Sequence, residues 1–153
     1  MVIGLISDTH GLLRPEAVAA LRGAGLILHA GDVGAGRILA ELRKLAPVQA
    51  VYGNVDDPAN PDLSKMLNLE VEGVRIHVSH GHEFGSPTPD RLLATYDANV
   101  IIYGHTHRPL VHHEGSRLVV NPGAAGPRRF DIQPSIGLMT IEGGKVEVGI
   151  VKL

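Results

Sequence analysis

Seven side chains of three kinds stand in short polar clusters: Asp8, His10, Asp32, Asn54, His80, His105 and His107. The clusters read Ser7-Asp8-Thr9-His10, Gly31-Asp32, Gly53-Asn54-Val55-Asp56, Ser79-His80-Gly81-His82 and Gly104-His105-Thr106-His107. Aspartate, asparagine and histidine offer oxygen and imidazole ligands without sulfur. That set suits Mn, Fe, Zn, Co or Ni and disfavours calcium. One catalytic zinc takes three protein ligands and keeps an open position. Seven candidates instead suit two metals roughly 3.5–4 Å apart that share a bridging carboxylate.

These clusters need a scaffold that brings them together. Each follows an apolar run with strand character: residues 2–7, 26–30, 48–52, 74–79 and 99–103. Residues 15–22, with proline at a favourable first position, and residues 36–45, with Ile38, Leu39, Leu42 and Leu45 at helical spacing, predict helices between the first three strands. A β-α-β-α-β start implies parallel strands with crossover helices. Hairpin signals follow at Glu72-Gly73, Gly115 and Gly143-Gly144, and residues 88–96 predict a helix capped by Thr88 or Ser86. The expected fold is α/β, with two mixed β-sheets packed as a sandwich and helices outside. Ligands of open α/β sheets bind beyond the carboxyl ends of strands, where these polar clusters fall.

Composition narrows the function classes. The 153 residues fit a single domain, residues 1–153, with no linker, charge block or repeat. Lys plus Arg number 14 against 16 Asp plus Glu, a net charge of −2, so no global attraction to nucleic acid or anionic membrane is expected. Cysteine is absent, which removes thiol nucleophiles, disulfides and Cys-ligated zinc and fits a cytoplasmic location. The start runs straight into Asp8 without a basic segment, so no signal peptide is expected, and no apolar run has the length of a membrane span.

Taken in order, Asp8-x-His10, Gly31-Asp32, Gly53-Asn54-x-Asp56, His80-Gly81-His82 and Gly104-His105-x-His107 resemble the calcineurin-like metallophosphoesterase superfamily. The short length and Asn121-Pro122-Gly123 resemble its compact bacterial and archaeal phosphodiesterases. The resemblance implies a four-layer α-β-β-α metallophosphoesterase fold. It implies that Asp8, His10, Asp32 and His107 hold one metal, and Asp32, Asn54, His80 and His105 the other. Asp32 then bridges, and Asp32, Asn54 and His80 form the catalytic set. The implied reaction is in-line attack on phosphorus by a metal-bridging hydroxide, with manganese the first choice of metal. Many relatives carry histidine between the Asn and Asp of the third motif. Here that position is Val55, which cannot donate a proton, so esters with acidic leaving groups are the expected in vitro substrates.

The remaining polar residues get plainer readings. His29, inside an apolar run, is read as a core histidine that orients a ligand. His77, alternating with Arg75 and Ser79, is read as a surface or supporting residue. His82 is equally suited to substrate contact or a loop hydrogen bond. Asp56 is read as a loop-ordering carboxylate, His112 and His113 as ordinary strand residues, and Arg128 and Arg129 as a solvated pair able to clamp phosphate. Residues 31–36 lack dinucleotide-loop spacing, and no G-x-S-x-G elbow exists. A non-catalytic interaction scaffold of the same fold is the rival class, against which the seven filled positions weigh. A nuclease or phosphoprotein phosphatase keeps the chemistry and changes the substrate. Only five aromatics, Tyr52, Phe84, Tyr96, Tyr103 and Phe130, are present to stack on bases. The C-terminal hairpins leave a face on which a second copy could pair.

Overall fold

The computed structural model describes residues 1–153. Three parallel strands open the chain: β1 (Val2–Ile6), β2 (Leu26–His29) and β3 (Val48–Ala50). They are joined by helices α1 (Pro15–Leu21) and α2 (Gly36–Arg43). Parallel pairing sets Ile3 beside Leu26 and Leu5 beside Leu28. The second half supplies β4 (Leu67–Val71), β5 (Val74–Val78), α3 (Pro89–Thr95), β6 (Val100–Ile102), β7 (Leu110–Glu114) and β8 (Arg117–Asn121). It ends with β9 (Ser135–Glu142) and β10 (Lys145–Lys152). Thr88, not Ser86, caps α3: its hydroxyl accepts the Arg91 amide at 3.3 Å.

Two five-stranded mixed sheets result, in the orders β10-β9-β1-β2-β3 and β4-β5-β6-β8-β7. The last hairpin therefore returns to the first sheet, β9 running antiparallel to β1. Strand alternation explains the layers. Ile3, Leu5, Leu28, Ile76, Ile102, Val120 and Met139 fill the space between the sheets. The neighbours of opposite parity face outward. Ile6, Ile27 and Ile136 pack under Ala17 and Leu21 of α1 and Ile38 and Leu42 of α2. Ile101 and Val119 pack under Leu92 of α3. This is the four-layer arrangement expected from the sequence. No helix is long and apolar enough to cross a membrane.

Of the two readings of His77, the surface one is excluded and the supporting one stands. His77 is 1 % exposed rather than at the surface, because α3 covers that face of the second sheet. Its ring stacks on Tyr96 at 3.7 Å and lies within hydrogen-bond distance of Asn68 Oδ1 and Ser79 Oγ, at 2.9 and 3.1 Å. Burial pushes its pKa down to about 4. Arg75 two residues earlier stays exposed at the sheet's end, which is why alternation alone left the surface reading open.

Candidate metal centre

Because β1, β2 and β3 are parallel in one sheet and β5, β6 and β8 in the other, their carboxyl ends open toward one pole. The loops that leave them are stitched together by backbone. Asp8 N donates to Gly31 O at 2.9 Å, His10 N to Asp32 O at 3.0 Å and Gly104 N to His80 O at 3.0 Å. Asp56 orders the third loop as expected, accepting the amides of Val33, Gly34 and Gly53 at 3.1, 3.0 and 2.9 Å. Asn121, buried, donates to Gly104 O and Thr106 Oγ1 and accepts from Gly123 N, which ties the end of β8 to the loop carrying His105 and His107.

Two clusters of potential ligands form at this pole, Asp8 with His10 and His107, and Asp8 with Asp32 and His80. Asp8 Oδ1 lies 3.2 Å from His107 Nε2, 3.8 Å from His10 Nε2 and 3.9 Å from His80 Nε2. Asp32 Oδ2 lies 3.5 Å from His10 Nε2 and 3.3 Å from His80 Nε2. Both carboxylates thus face a histidine of each set. Asn54 and His105 sit together at the open side, Asn54 Oδ1 lying 3.2 Å from His105 Nδ1. Asn54 is exposed and His105 half-buried, whereas Asp8, Asp32, His80 and His107 are buried. All seven predicted residues therefore line one pole of the fold.

The surroundings fix which atom of each group points inward. Asp8 Oδ2 is held by Ser7 Oγ at 2.6 Å and by the His105 amide at 3.2 Å, which leaves Oδ1 free. Asp32 Oδ1 accepts the Val55 amide at 3.1 Å, which leaves Oδ2 free. His80 Nδ1–H donates to the Ala30 carbonyl at 2.7 Å, so Nε2 presents its lone pair inward. Asp8 Oδ1, His10 Nε2 and His80 Nε2 are buried without any hydrogen-bond partner. Unpaired buried groups of this kind cost about 1–3 kcal/mol each, and a bound cation would satisfy all three. The donor set, oxygen plus imidazole, fits a transition-metal dication.

The electrostatics agree. Burial pushes the Asp8 carboxyl up, but His10, His107, His80 and Ser7 together hold it well below the usual carboxylate range. Asp32 is lowered too, as His80 and the Val55 amide outweigh its burial. Burial pushes His80 down, yet Asp32 and Asp8 outweigh it and raise its pKa. Burial and the neighbouring His80 lower His105.

The backbone here is strained. Asp8, His10, Asp32, His105 and His107 all have positive φ, between 44° and 70°. Such conformations are uncommon outside glycine and concentrate at functional sites. Close approach requires two glycines. A Cβ at Gly53 would fall 2.0 Å from Asp32 Oδ1, and one at Gly104 would fall 2.1 Å from Ser7 Oγ.

Sequence reasoning missed Ser7, the Val55 amide and the Ala30 carbonyl, since two act through backbone atoms and Ser7 has no distinguishing spacing. His29 is the core residue expected, wholly buried and linking Thr9 to Gly31. His82 is half-buried with its ring 5.4 Å from that of His80 and 6.3 Å from that of Tyr52. Arg128 and Arg129 are exposed.

Comparisons with known proteins point the same way. The calcineurin-like phosphoesterase superfamily domain matches residues 1–144. A probable metallophosphoesterase of Methanothermobacter thermautotrophicus is 38 % identical, the match covering 99 % of this chain and 92 % of that one. A phosphodiesterase of Methanocaldococcus jannaschii is 28 % identical, covering 93 % and 94 %. The structure of Vps29 from Chaetomium thermophilum superposes with a TM-score of 0.83 at 24 % identity, covering 100 % of this chain and 95 % of that one. That last likeness speaks to fold alone.

Proposed function

The chain belongs to the calcineurin-like phosphoesterase superfamily, and from that membership we propose that it is a dinuclear, metal-dependent phosphodiesterase. In this reading Asp8, His10, Asp32 and His107 hold one divalent ion, and Asp32, Asn54, His80 and His105 the other. Manganese is the first choice, with Fe, Zn, Ni and Co as alternatives. Bound there, the ions would supply a nucleophile from water at neutral pH and neutralise charge on the phosphate oxygens.

The protein's own residues set up that chemistry. The Val55 amide holds Asp32 Oδ1, which leaves Oδ2 facing His10 and His80. Asp8 Oδ1 faces His10, His107 and His80 in the same way, and the choice of Asp32 as the shared carboxylate follows the family pattern. The Ala30 carbonyl keeps His80 in the tautomer that can ligate. Asn54, exposed at the mouth beside His105, borders the space an ester would enter. Val55, 53 % exposed, supplies no proton to a departing alkoxide, which favours acidic leaving groups.

Four buried side-chain atoms lack a hydrogen-bond partner, and the observation that carries the reading is that three of them gather at the pole, Asp8 Oδ1 lying 3.8 Å from His10 Nε2 and 3.9 Å from His80 Nε2; the fourth is Nδ1 of His82. Relatives named as phosphodiesterases support the reaction class. Calorimetric titration of chelator-stripped protein with Mn²⁺ tests the reading. Two equivalents are expected, and Asp32→Asn should abolish tight binding of both. A single equivalent, or unchanged binding in Asp32→Asn, would overturn the shared-carboxylate assignment.

A further inference from the structure

We infer that residues 127–131 form a recognition arm in which Phe130 stacks on the base of a nucleoside phosphodiester while Arg128 and Arg129 hold its phosphate oxygens; this rests on the phosphodiesterase reading. Phe130 is the outlier that prompts it. Its side chain is 84 % exposed, far beyond any other large apolar residue, and its φ is 55°. Left-handed backbone is unusual for an aromatic residue, and turn chemistry alone would select glycine or asparagine there. Of the other non-glycine residues with positive φ, Glu72 lies in a hairpin turn and five are candidate ligands. Phe130 thus combines a strained backbone with a ring that no core contact explains.

The arm is rooted at the candidate centre. The Gly126 amide donates to the Asp8 carbonyl at 3.2 Å, and Arg14 Nε donates to Gly126 O at 3.1 Å. A Cβ at Gly126 would fall 2.1 Å from Thr9 O, so the chain is pressed against the first ligand loop. It returns where Ser135 N donates to Ala124 O, and it reverses where Ile132 N donates to Arg129 O. Phe130 is four residue steps from Gly126, a span of at most about 13–14 Å. That keeps ring and guanidinium groups within reach of an ester lying over Asp8.

The chemistry selects the class of ligand. Arg43 and Arg75 are the arginines engaged in ion pairs, so Arg128 and Arg129 remain available. Guanidinium forks match phosphate oxygens, and a lone exposed phenyl face matches a planar base. Two cations and one ring in sequence, on a chain of net charge −2, fit one nucleotide rather than an extended strand.

The test compares two p-nitrophenyl esters, of adenosine 5′-phosphate and of methyl phosphate, which share leaving group and scissile bond. Wild type should favour the adenosine ester in kcat/KM by roughly 5–100-fold, chiefly through KM. Phe130→Asn, which tolerates the left-handed turn but lacks the ring, should bring the ratio toward one, and Phe130→Tyr should restore it. Arg128→Ala should weaken both esters alike. Calorimetric affinity for adenosine 5′-phosphate over inorganic phosphate should fall in step in Phe130→Asn. A wild-type preference near one, or a preference that survives Phe130→Asn, would overturn the inference. No turnover on either ester, with base-dependent binding intact, would sink the phosphodiesterase reading and leave the arm standing.

Discussion

His29 offers a prediction whose size follows from the structure. Its Nδ1 accepts the Gly31 amide at 3.1 Å, so the proton sits on Nε2, which donates to Thr9 Oγ1 at 3.0 Å. Thr9 in turn donates to the Val33 carbonyl at 2.8 Å. This chain is complete only for the neutral ring. Burial, opposed by the more distant Asp8 and Asp56, pushes the pKa from 6.5 to about 4. In the unfolded chain the ring protonates near its ordinary value. The stabilisation is therefore full above about pH 6.5 and is lost as pH falls toward about pH 4. Those values give a loss of about 2 kcal/mol between about pH 7.5 and pH 5, and about 3 kcal/mol in full. The perturbation is His29→Asn, whose Oδ1 can accept the Gly31 amide and does not titrate. Urea unfolding of both chelated proteins across that range is the assay. The variant starts less stable, and the gap should narrow by about 2 kcal/mol at about pH 5. Groups common to both proteins cancel in the difference. Parallel stability curves would refute the tautomer and its hydrogen-bond chain.

Gly53→Ala should destabilise the chain by about 1–3 kcal/mol and weaken metal binding, since the new methyl collides with Asp32, the backbone amide of which lies 2.5 Å from it; thermal melts and calorimetry read the two effects. Asp56→Ala leaves three amides without their acceptor and should cost about 2 kcal/mol, whereas Asp57→Ala, which removes one exposed contact to Ala59, should change the melting temperature little. In the metal-free protein His80 is raised, Asp32 and Asp8 overcoming its burial. Protonated His80 stabilises the metal-free fold at low pH, a gain lost as pH rises through the raised value. Metal must displace that proton, so affinity should fall on acidification, and binding heats should differ between buffers of unlike protonation enthalpy. Equal heats would contradict this.

Much of the architecture was legible because apolar runs end abruptly in ligand-type residues, and a strand end is where such residues can converge. The placement of β9 and β10 was not. Alternation in residues 136–151 announces a hairpin, but both sheets present an edge to it, and only the pairing with β1 decides. His77 stayed open between a surface and a supporting role since period-two alternation says which residues share a face, not what covers that face. Asp56 and His29 were legible because a carboxylate in a glycine-rich turn and a histidine in an apolar run have few other uses. The left-handed backbone at Asp8, His10, Asp32, His105 and His107 left no mark, for that conformation is normally announced by glycine or asparagine. The Val55 amide and Ala30 carbonyl carry no signature because every residue but proline owns those atoms.

In the function proposed, this pole of the fold hydrolyses phosphodiesters with bound metal. Its most direct test is hydrolysis of bis-p-nitrophenyl phosphate by chelator-stripped protein, with and without Mn²⁺, in wild type and Asp32→Asn. The leaving group is acidic enough to depart without help at Val55. Turnover should be absent after stripping, return with Mn²⁺ and stay absent in Asp32→Asn. Metal bound at two equivalents with no turnover would contradict the catalytic claim and favour an interaction scaffold of the same fold.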